Sequence, residues 1–255
     1  EKLAGLHDTA GKPIEIALTT NGVLLSDKAR SLKDAGLSRI SVSLDGLTEQ
    51  TFRRMSDSDV SVKTVLDGIA AAQRAGLAPV KVNMMLKRGV NDHEIIPMAE
   101  YFRNSGIILR FIEYMDAGSS NGWRMDEVVT AREIHQLIHQ HHPLQQVDPG
   151  YPGEVAERWR YADGSGEIGL IASVTQAFCD DCTRARLATD GKLYTCLFAA
   201  DGADLREPLR LGADDRMLTG LIADYWQQRN DRYSQLRHDA TVTARQKIEM
   251  SYIGG

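Results

Sequence analysis

"SRISVSLDG" (Ser38–Gly46), "LTEQTFRRM" (Leu47–Met55), "SVKTVLDGIAAAQRAG" (Ser61–Gly76) and "APVKVNMMLKRG" (Ala78–Gly89) follow one another closely, and their rhythm decides the fold. The first and last are rich in β-branched and aliphatic residues and end in turn residues, as strands do. The two between them read as helices, the longer one stopped by glycine. A strand, a helical crossover and a second strand make a right-handed βαβ unit, which requires a parallel sheet. Working outward, "IEIALTTNG" (Ile14–Gly22) and "DKARSLKDAG" (Asp27–Gly36) place another strand and helix before this unit. "DHEIIPMAEYFRNSG" (Asp92–Gly106) and "IILRFIEYM" (Ile107–Met115) place a helix and a strand after it. The fold class is α/β. Ligands of parallel sheets sit at the carboxyl ends of the strands, so "TTNG", "SLD", "NMMLK" and "EYMD" are the positions to watch.

The rhythm breaks near Asp116. "DAGSSNGWRMDE" reads as a loop, "TAREIHQLIHQH" as an amphipathic helix, and "HPLQQVDPGYPGEVAERWRYADGSGE" as turns. This divides the chain into βα units over 1–116, a lateral connecting segment over 117–166 and a C-terminal subdomain over 167–255. The last contains strands near Ile168–Thr175 and around the cysteines, then a helix over Arg216–Asp231.

The 255 residues are 42% hydrophobic and 25% charged, which is ordinary globular composition. No apolar run approaches the roughly 18 residues a membrane helix needs, and the start lacks the basic-then-apolar signature of a secretory signal. The net charge of -5 argues against broad nucleic-acid binding while leaving room for a small anion held by a few convergent cations. Thiols clustered at metal-type spacing favour a reducing compartment, so the expected location is the cytoplasm.

All three cysteines fall in "FCDDCTRARLATDGKLYTCLF" (Phe178–Phe198), as Cys179-x2-Cys182-x13-Cys196. The two-residue gap lets neighbouring thiolates bind one centre, with a third arriving from a following strand. A structural zinc would want a fourth ligand, for which His238 is a distant candidate. An iron–sulfur cluster tolerates three protein ligands and leaves one iron open. Both stand against unrelated thiols, with the cluster favoured. Arg184 and Arg186, two apart on a strand, project to one face. A two-residue turn at Asp190-Gly191 would set Cys196 opposite Ala185. A three-residue loop with a left-handed Gly191 would set it opposite Arg184, and this second form is expected because guanidiniums near an open iron could hold an anionic or heteroaromatic ligand. Lys81 and Arg110 lie inside central strands, where a cation costs desolvation unless it reaches the sheet's mouth or an anion. Together they favour a phosphate-bearing substrate. The terminal "SYIGG", judged by composition, reads as frayed.

The cysteine segment, with "LTTNG", "SVSLDGL", "VKVNMMLKRGVND", "LRFIEYMDAG" and the terminal "IGG", resembles the GTP 3′,8-cyclases. These form the molybdenum cofactor biosynthesis protein A family of radical S-adenosylmethionine (SAM) enzymes. The likeness runs in order from residue 14 to 255. It implies a partial, incomplete TIM-like βα barrel of the radical SAM type with a C-terminal cluster-binding α+β subdomain. It also implies that Cys179, Cys182 and Cys196 hold a C-terminal 4Fe–4S cluster whose open iron meets the guanine of GTP. Arg184, Ala185 and Arg186 match the segment that contacts GTP, Thr19 and Lys81 match other GTP contacts, and Arg110 becomes a phosphate partner. Ser43 and Met115 match SAM contacts. Gly254 and Gly255 match C-terminal glycines that reach the active site, which overturns the fraying reading.

The reaction so implied is cleavage of SAM to a 5′-deoxyadenosyl radical, removal of the ribose 3′ hydrogen of GTP, and closure onto C8. The product is 3′,8-cyclo-7,8-dihydro-GTP, handed on to cyclic pyranopterin monophosphate synthase, and the implied assembly is a homodimer. One departure is large. The family's CxxxCxxC motif for the second, N-terminal cluster, its "GGEP" segment and its first two barrel strands are not in these residues. The sequence therefore reads as an N-terminally truncated or partly covered member. Its edge at Ile14–Thr20 would be exposed, it would need its missing part for solubility, and it would hold iron without generating the radical. The rival readings are a radical SAM enzyme acting on a peptide or other small molecule, and a non-catalytic, zinc-stabilised nucleotide-binding fragment.

Overall fold

In "VKVNMML" (Val80–Leu86) the valines, Met84 and Leu86 are buried while Lys81, Asn83 and Met85 are half-exposed. This period-two pattern gives the central sheet one apolar and one polar face. The computed structural model of the chain describes residues 1–118, 122–176, 179, 182–237 and 247–253. They divide into two units. The first comprises Glu1–Tyr114, Asp126–Gly150 and Glu154–Thr175; the second comprises Met115–Met125, Tyr151–Gly153 and Gln176–Gly255.

The first unit is built on strands β1 (Ala17–Thr20), β2 (Arg39–Ser43), β3 (Val80–Leu86), β4 (Ile108–Glu113), β5 (Leu144–Val147), β6 (Glu157–Tyr161) and β7 (Glu167–Ile171). Their order is β1-β2-β3-β4-β7-β6-β5. The first five in that order run parallel; β6 and β5 are antiparallel additions. Helices α1 (Leu25–Asp34), α2 (Glu49–Ser56), α3 (Val62–Arg74), α4 (Ile95–Phe102) and α5 (Ala131–His141) connect them. This is the parallel α/β sheet expected from the alternation, consistent with a partial TIM-like barrel.

Each helix forms for a local reason. Thr48 caps α2 by accepting from the Thr51 amide, and Thr130 and Glu133 close a capping box on α5. In α3 the buried Val62, Val65, Ile69 and Ala72 fall on one side at helical spacing. They pack into a core with Ile40, Val42, Val82, Met84, Leu109, Phe111, Ile134, Ile168 and Leu170. Each buried aliphatic of this kind stabilises the unit by about 1.5–3 kcal/mol. β1 is an edge of the sheet, with Ala17 and Thr19 exposed.

One sequence expectation fails here. The stretch after His142 reads as turns, yet it supplies β5 and β6. "LQQV" and "ERWRY" are half-solvated antiparallel strands, so they lack the continuous apolar run that announces a parallel one.

The second unit contains β8 (Arg186–Leu187), β9 (Lys192–Tyr194) and β10 (Ala203–Asp204) in an antiparallel sheet ordered β10-β9-β8, followed by α6 (Arg206–Arg210), α7 (Asp215–Gln227) and α8 (Tyr233–Leu236). Its core cluster is small: Ala188, Tyr194 and Ile253, with Leu197, Ala199 and Ile248 against them. Among the described residues, no helix of the chain is long and apolar enough to cross a membrane.

Candidate functional site

Strand register sets two rows of side chains across the polar face of the first unit's sheet. Thr19 pairs with Ser41 and Ser41 with Lys81; Ser43 pairs with Asn83, Asn83 with Arg110, and Arg110 with Gly169. Paired residues share a face, so Thr19, Ser43, Lys81 and Arg110 all fall on this one. Arg110 is oriented by neutral acceptors: Nε donates to Asn83 Oδ1 at 2.9 Å and Nη2 to Ser41 Oγ at 3.1 Å. Gly169 makes room for its stem, because a Cβ there would sit 3.0 Å from Arg110 Cγ and 3.3 Å from Ala156 Cβ. Lys81 makes no ion pair among the described residues. Burial, then the nearby Arg110 and Arg39, pull its pKa below the usual lysine value against the opposing pull of Glu154 and Glu167. A cation in that setting gains from a bound anion.

At the carboxyl ends of the strands the polar residues do structural work. Glu113, fully buried at the end of β4, accepts from the amides of Ala131, Val174 and Thr175, each at 2.8 Å, and from the Thr175 hydroxyl at 2.6 Å. Asn91, also fully buried, donates to the carbonyls of Asp45 and Met85 and accepts from the Lys87 amide. Asp45 Oδ1 accepts from the Met85 amide at 2.7 Å, and burial raises its carboxyl pKa to about 6 despite that bond. "SLD" and "EYMD" thus serve loop construction as well as position.

The second unit presents the cysteine hairpin. Arg186 pairs with Tyr194 and Leu187 with Leu193, and the Ala188 amide donates to the Lys192 carbonyl. The loop is therefore Thr189, Asp190 and Gly191, with Gly191 left-handed at φ +85°. Carried back two residues, this register sets Arg184 opposite Cys196, as the three-residue loop requires. Only Arg186 and Leu187 are strand residues; Arg184 and Ala185 precede it as extended chain. Arg184 and Arg186 are half-buried while Ala185 and Leu187 are exposed, so the two guanidiniums do share one side.

Arg184 donates to Cys182 Sγ from Nη2 at 3.1 Å and from Nε at 3.3 Å. Burial works to raise the Cys182 thiol, but hydrogen bonds from Arg184 and Arg229 outweigh it and hold its pKa below the ordinary value. Cys196 is pushed up by burial, and the Cys179 charge adds to that. Burial and Arg184 lower Arg186, while Cys196 and Cys182 oppose them. All three thiols are free and half-buried. These couplings put them in one electrostatic neighbourhood, although no three His, Cys, Asp or Glu side chains among the described residues converge as a ready-made metal site. Three thiols flanked by guanidiniums fit a thiolate-loving iron–sulfur centre with an open position.

Met115 is half-buried in the loop after β4 and belongs to the second unit. Gly254, Gly255 and His238 lie outside the described residues. Sequence reasoning passed over Ser41 and Asn83, although strand parity with Lys81 and Arg110 marks them as sharing that face. It also passed over Arg229, which donates to the Cys182 carbonyl from 47 positions away and carries no local signal.

Comparison with known proteins agrees with this picture. Residues 1–102 match the radical SAM superfamily, and residues 107–235 match the Molybdenum Cofactor Synthesis C family. The chain is 49% identical to a GTP 3′,8-cyclase of Acidothermus cellulolyticus, over 94% of this chain and 73% of that protein. It is 49% identical to one of Xanthomonas axonopodis pv. citri, over 94% and 71%. With one of Staphylococcus aureus the identity is 47%, over 94% and 72%. On its sheet, its cysteine hairpin and these relationships, the chain belongs to the GTP 3′,8-cyclase family of the radical SAM superfamily.

Proposed function

We propose that this enzyme cyclises GTP to 3′,8-cyclo-7,8-dihydro-GTP by radical SAM chemistry, the first step of molybdenum cofactor biosynthesis. The observation that carries the reading is the hairpin, where Arg184 donates to Cys182 Sγ and Arg186 lies within the electrostatic reach of Cys182 and Cys196. Cys179, Cys182 and Cys196 would hold the C-terminal 4Fe–4S cluster, and a second cluster would be held by a CxxxCxxC motif that these residues do not contain. When bound, the clusters supply the electron that cleaves SAM and an open position for the base of GTP.

The chain's own residues position and shield. Arg184 and Arg186 offer planar donor forks to the guanine, with the exposed Ala185 between them giving backbone contact. Lys81, short of a counter-charge, and Arg110, held by Ser41 and Asn83, neutralise the triphosphate, and Thr19 adds a hydroxyl. Ser43 and Met115 contact SAM. Gly254 and Gly255, outside the described residues, would serve the active site as residues without side chains, which fit where others cannot. Holding the ribose near the cleaved SAM and excluding water are the protein's share of the rate. The enzyme acts as a cytoplasmic homodimer and hands its product to cyclic pyranopterin monophosphate synthase.

Arg186→Ala, assayed in the cluster-loaded enzyme, should lower cyclisation about 100-fold while sparing most SAM cleavage. Equal loss of both activities would sink this division of labour.

A further inference from the structure

The last described stretch, residues 247–253, reads as a frayed tail by composition, yet it is fastened along its length within the second unit. Lys247 Nζ donates to the Asp116 carboxylate at 2.7 Å and to the Asp116 carbonyl at 2.9 Å. The Ile248 amide donates to the Ala199 carbonyl at 3.3 Å. The Glu249 carboxylate lies against Gly118, where an added Cβ would overlap it. The Tyr252 hydroxyl donates to Asp190 in the hairpin loop at 2.6 Å. Ile253 is 2% exposed and packs with Ala188 and Tyr194, and Tyr194 is the strand partner of Arg186. The strap therefore ends beside the hairpin that carries the thiols and the two arginines.

What seats its first residue is a buried charge node. Asp116, 6% exposed, accepts from Arg237 Nε at 2.8 Å and from the Tyr233 hydroxyl, as well as from Lys247. Lys247 sits 4.4 Å from the Tyr233 ring centroid, and that ring stacks on Phe198. Arg237, 3% exposed, lies over the rings of Phe198, Tyr233 and Trp123. One carboxylate thus serves two cations among aromatic rings. Removing that carboxylate takes away the 2.7 Å contact that seats Lys247, and Lys247 stands at the start of the strap.

We propose that Asp116 is a positioning residue: it anchors the strap, residues 247–253, on the cysteine hairpin and so places the end of the segment that leads in sequence to Gly254 and Gly255. The positional consequence rests on the reading that those two glycines serve the cyclisation, whereas the anchor is testable by itself.

The test uses the cluster-loaded, full-length enzyme carrying Asp116→Asn. Ile253→Ala is the companion variant, loosening the far end of the strap without touching the buried carboxylate. By hydrogen–deuterium exchange, both should speed exchange over residues 247–253 at least about tenfold while β3 and β4 amides keep their rates. Iron content should be retained. Cyclisation by Asp116→Asn should fall as far as it does on deletion of Gly254–Gly255, and combining the two changes should lower it no further. Unchanged exchange in both variants would overturn the anchor. Faster exchange with full cyclisation, in an enzyme that the deletion inactivates, would overturn the positioning. If the deletion itself leaves cyclisation intact, the reading of the glycines falls, and the anchor is judged on exchange alone.

Discussion

Arg110 and Arg184 are both guanidiniums assigned to the same substrate, yet they stand on different ground. Arg110 rises from a central parallel strand between Leu109 and Phe111, both buried in a large apolar core, and its donors are fixed by Ser41 and Asn83. Arg184 lies in extended chain before a two-residue strand, and its hydrogen-bond acceptor is the Cys182 sulfur. The core beneath it consists of a few side chains, and α7 buries none of its residues, leaving Met217, Leu221 and Ile222 exposed. The first unit is organised by hydrophobic burial, which needs no ligand. The second is organised by local charge nodes around three free thiols; on the proposed reading these thiols hold a cluster, and its binding would contribute directly to the unit's folding free energy.

The strongest way to break this contrast is to remove a proposed cluster ligand. Cys182→Ala should abolish iron binding after anaerobic reconstitution, read by metal analysis and visible absorption. Loss of iron should accelerate amide exchange through residues 182–199 by at least about 100-fold while leaving β3 and β4 untouched. A second unit equally protected with and without iron would refute the comparison.

Next in size is the polar exception inside the first unit. Glu113→Gln places an amide nitrogen where three backbone amides and a hydroxyl now donate to a carboxylate. It should cost about 3 kcal/mol in urea unfolding, as expected for a buried charge-assisted network left half-satisfied. A cost under about 1 kcal/mol would mean that burial alone holds the end of β4.

Asp45 sharpens the same point through pH. Its folded pKa of about 6 lies above the ordinary aspartate value of 3.8, so the folded state binds more protons between those values. Its contribution is therefore most favourable below about pH 4, declines as pH rises to about 6, and is constant beyond. Asp45→Asn keeps an acceptor for the Met85 amide and removes the buried charge. It should stabilise the first unit by about 1–3 kcal/mol at pH 8 and by much less at pH 4. Equal effects at both pH values would show that the charge is not the cause.

The smallest effect should come from Gly169→Ala. The new methyl must displace the Arg110 stem by a few tenths of an ångström. It should raise KM for GTP about threefold to tenfold with little change in thermal stability. An unaltered KM would argue that Arg110 adapts, as expected of a loosely held side chain.

Much of this was legible beforehand because the relevant signals are local. Alternation in "VKVNMML" shows that Lys81 shares a face with Asn83, and helix stops mark the crossovers. Asp190-Gly191 announces a hairpin but leaves two registers, and the left-handed Gly191 of the structure selects the one that sets Arg184 opposite Cys196. Where local signals mislead, the structure departs. β5 and β6 look like turns because proline- and glycine-rich loops surround them and their own residues are half-solvated. The tail looks frayed because composition cannot report that Ile253 finds Tyr194.

The parallel βα plan and the three-cysteine pattern are written in the sequence, since they rest on period and spacing, whereas the hairpin turn is narrowed to two forms. Which polar groups meet depends on how the chain folds back on itself. Arg110 is aimed by Ser41, 69 positions away, and Asp116 gathers Tyr233, Arg237 and Lys247 from 117, 121 and 131 positions away. Such pairs are created when strand order and burial bring distant segments into register, and no local pattern encodes them.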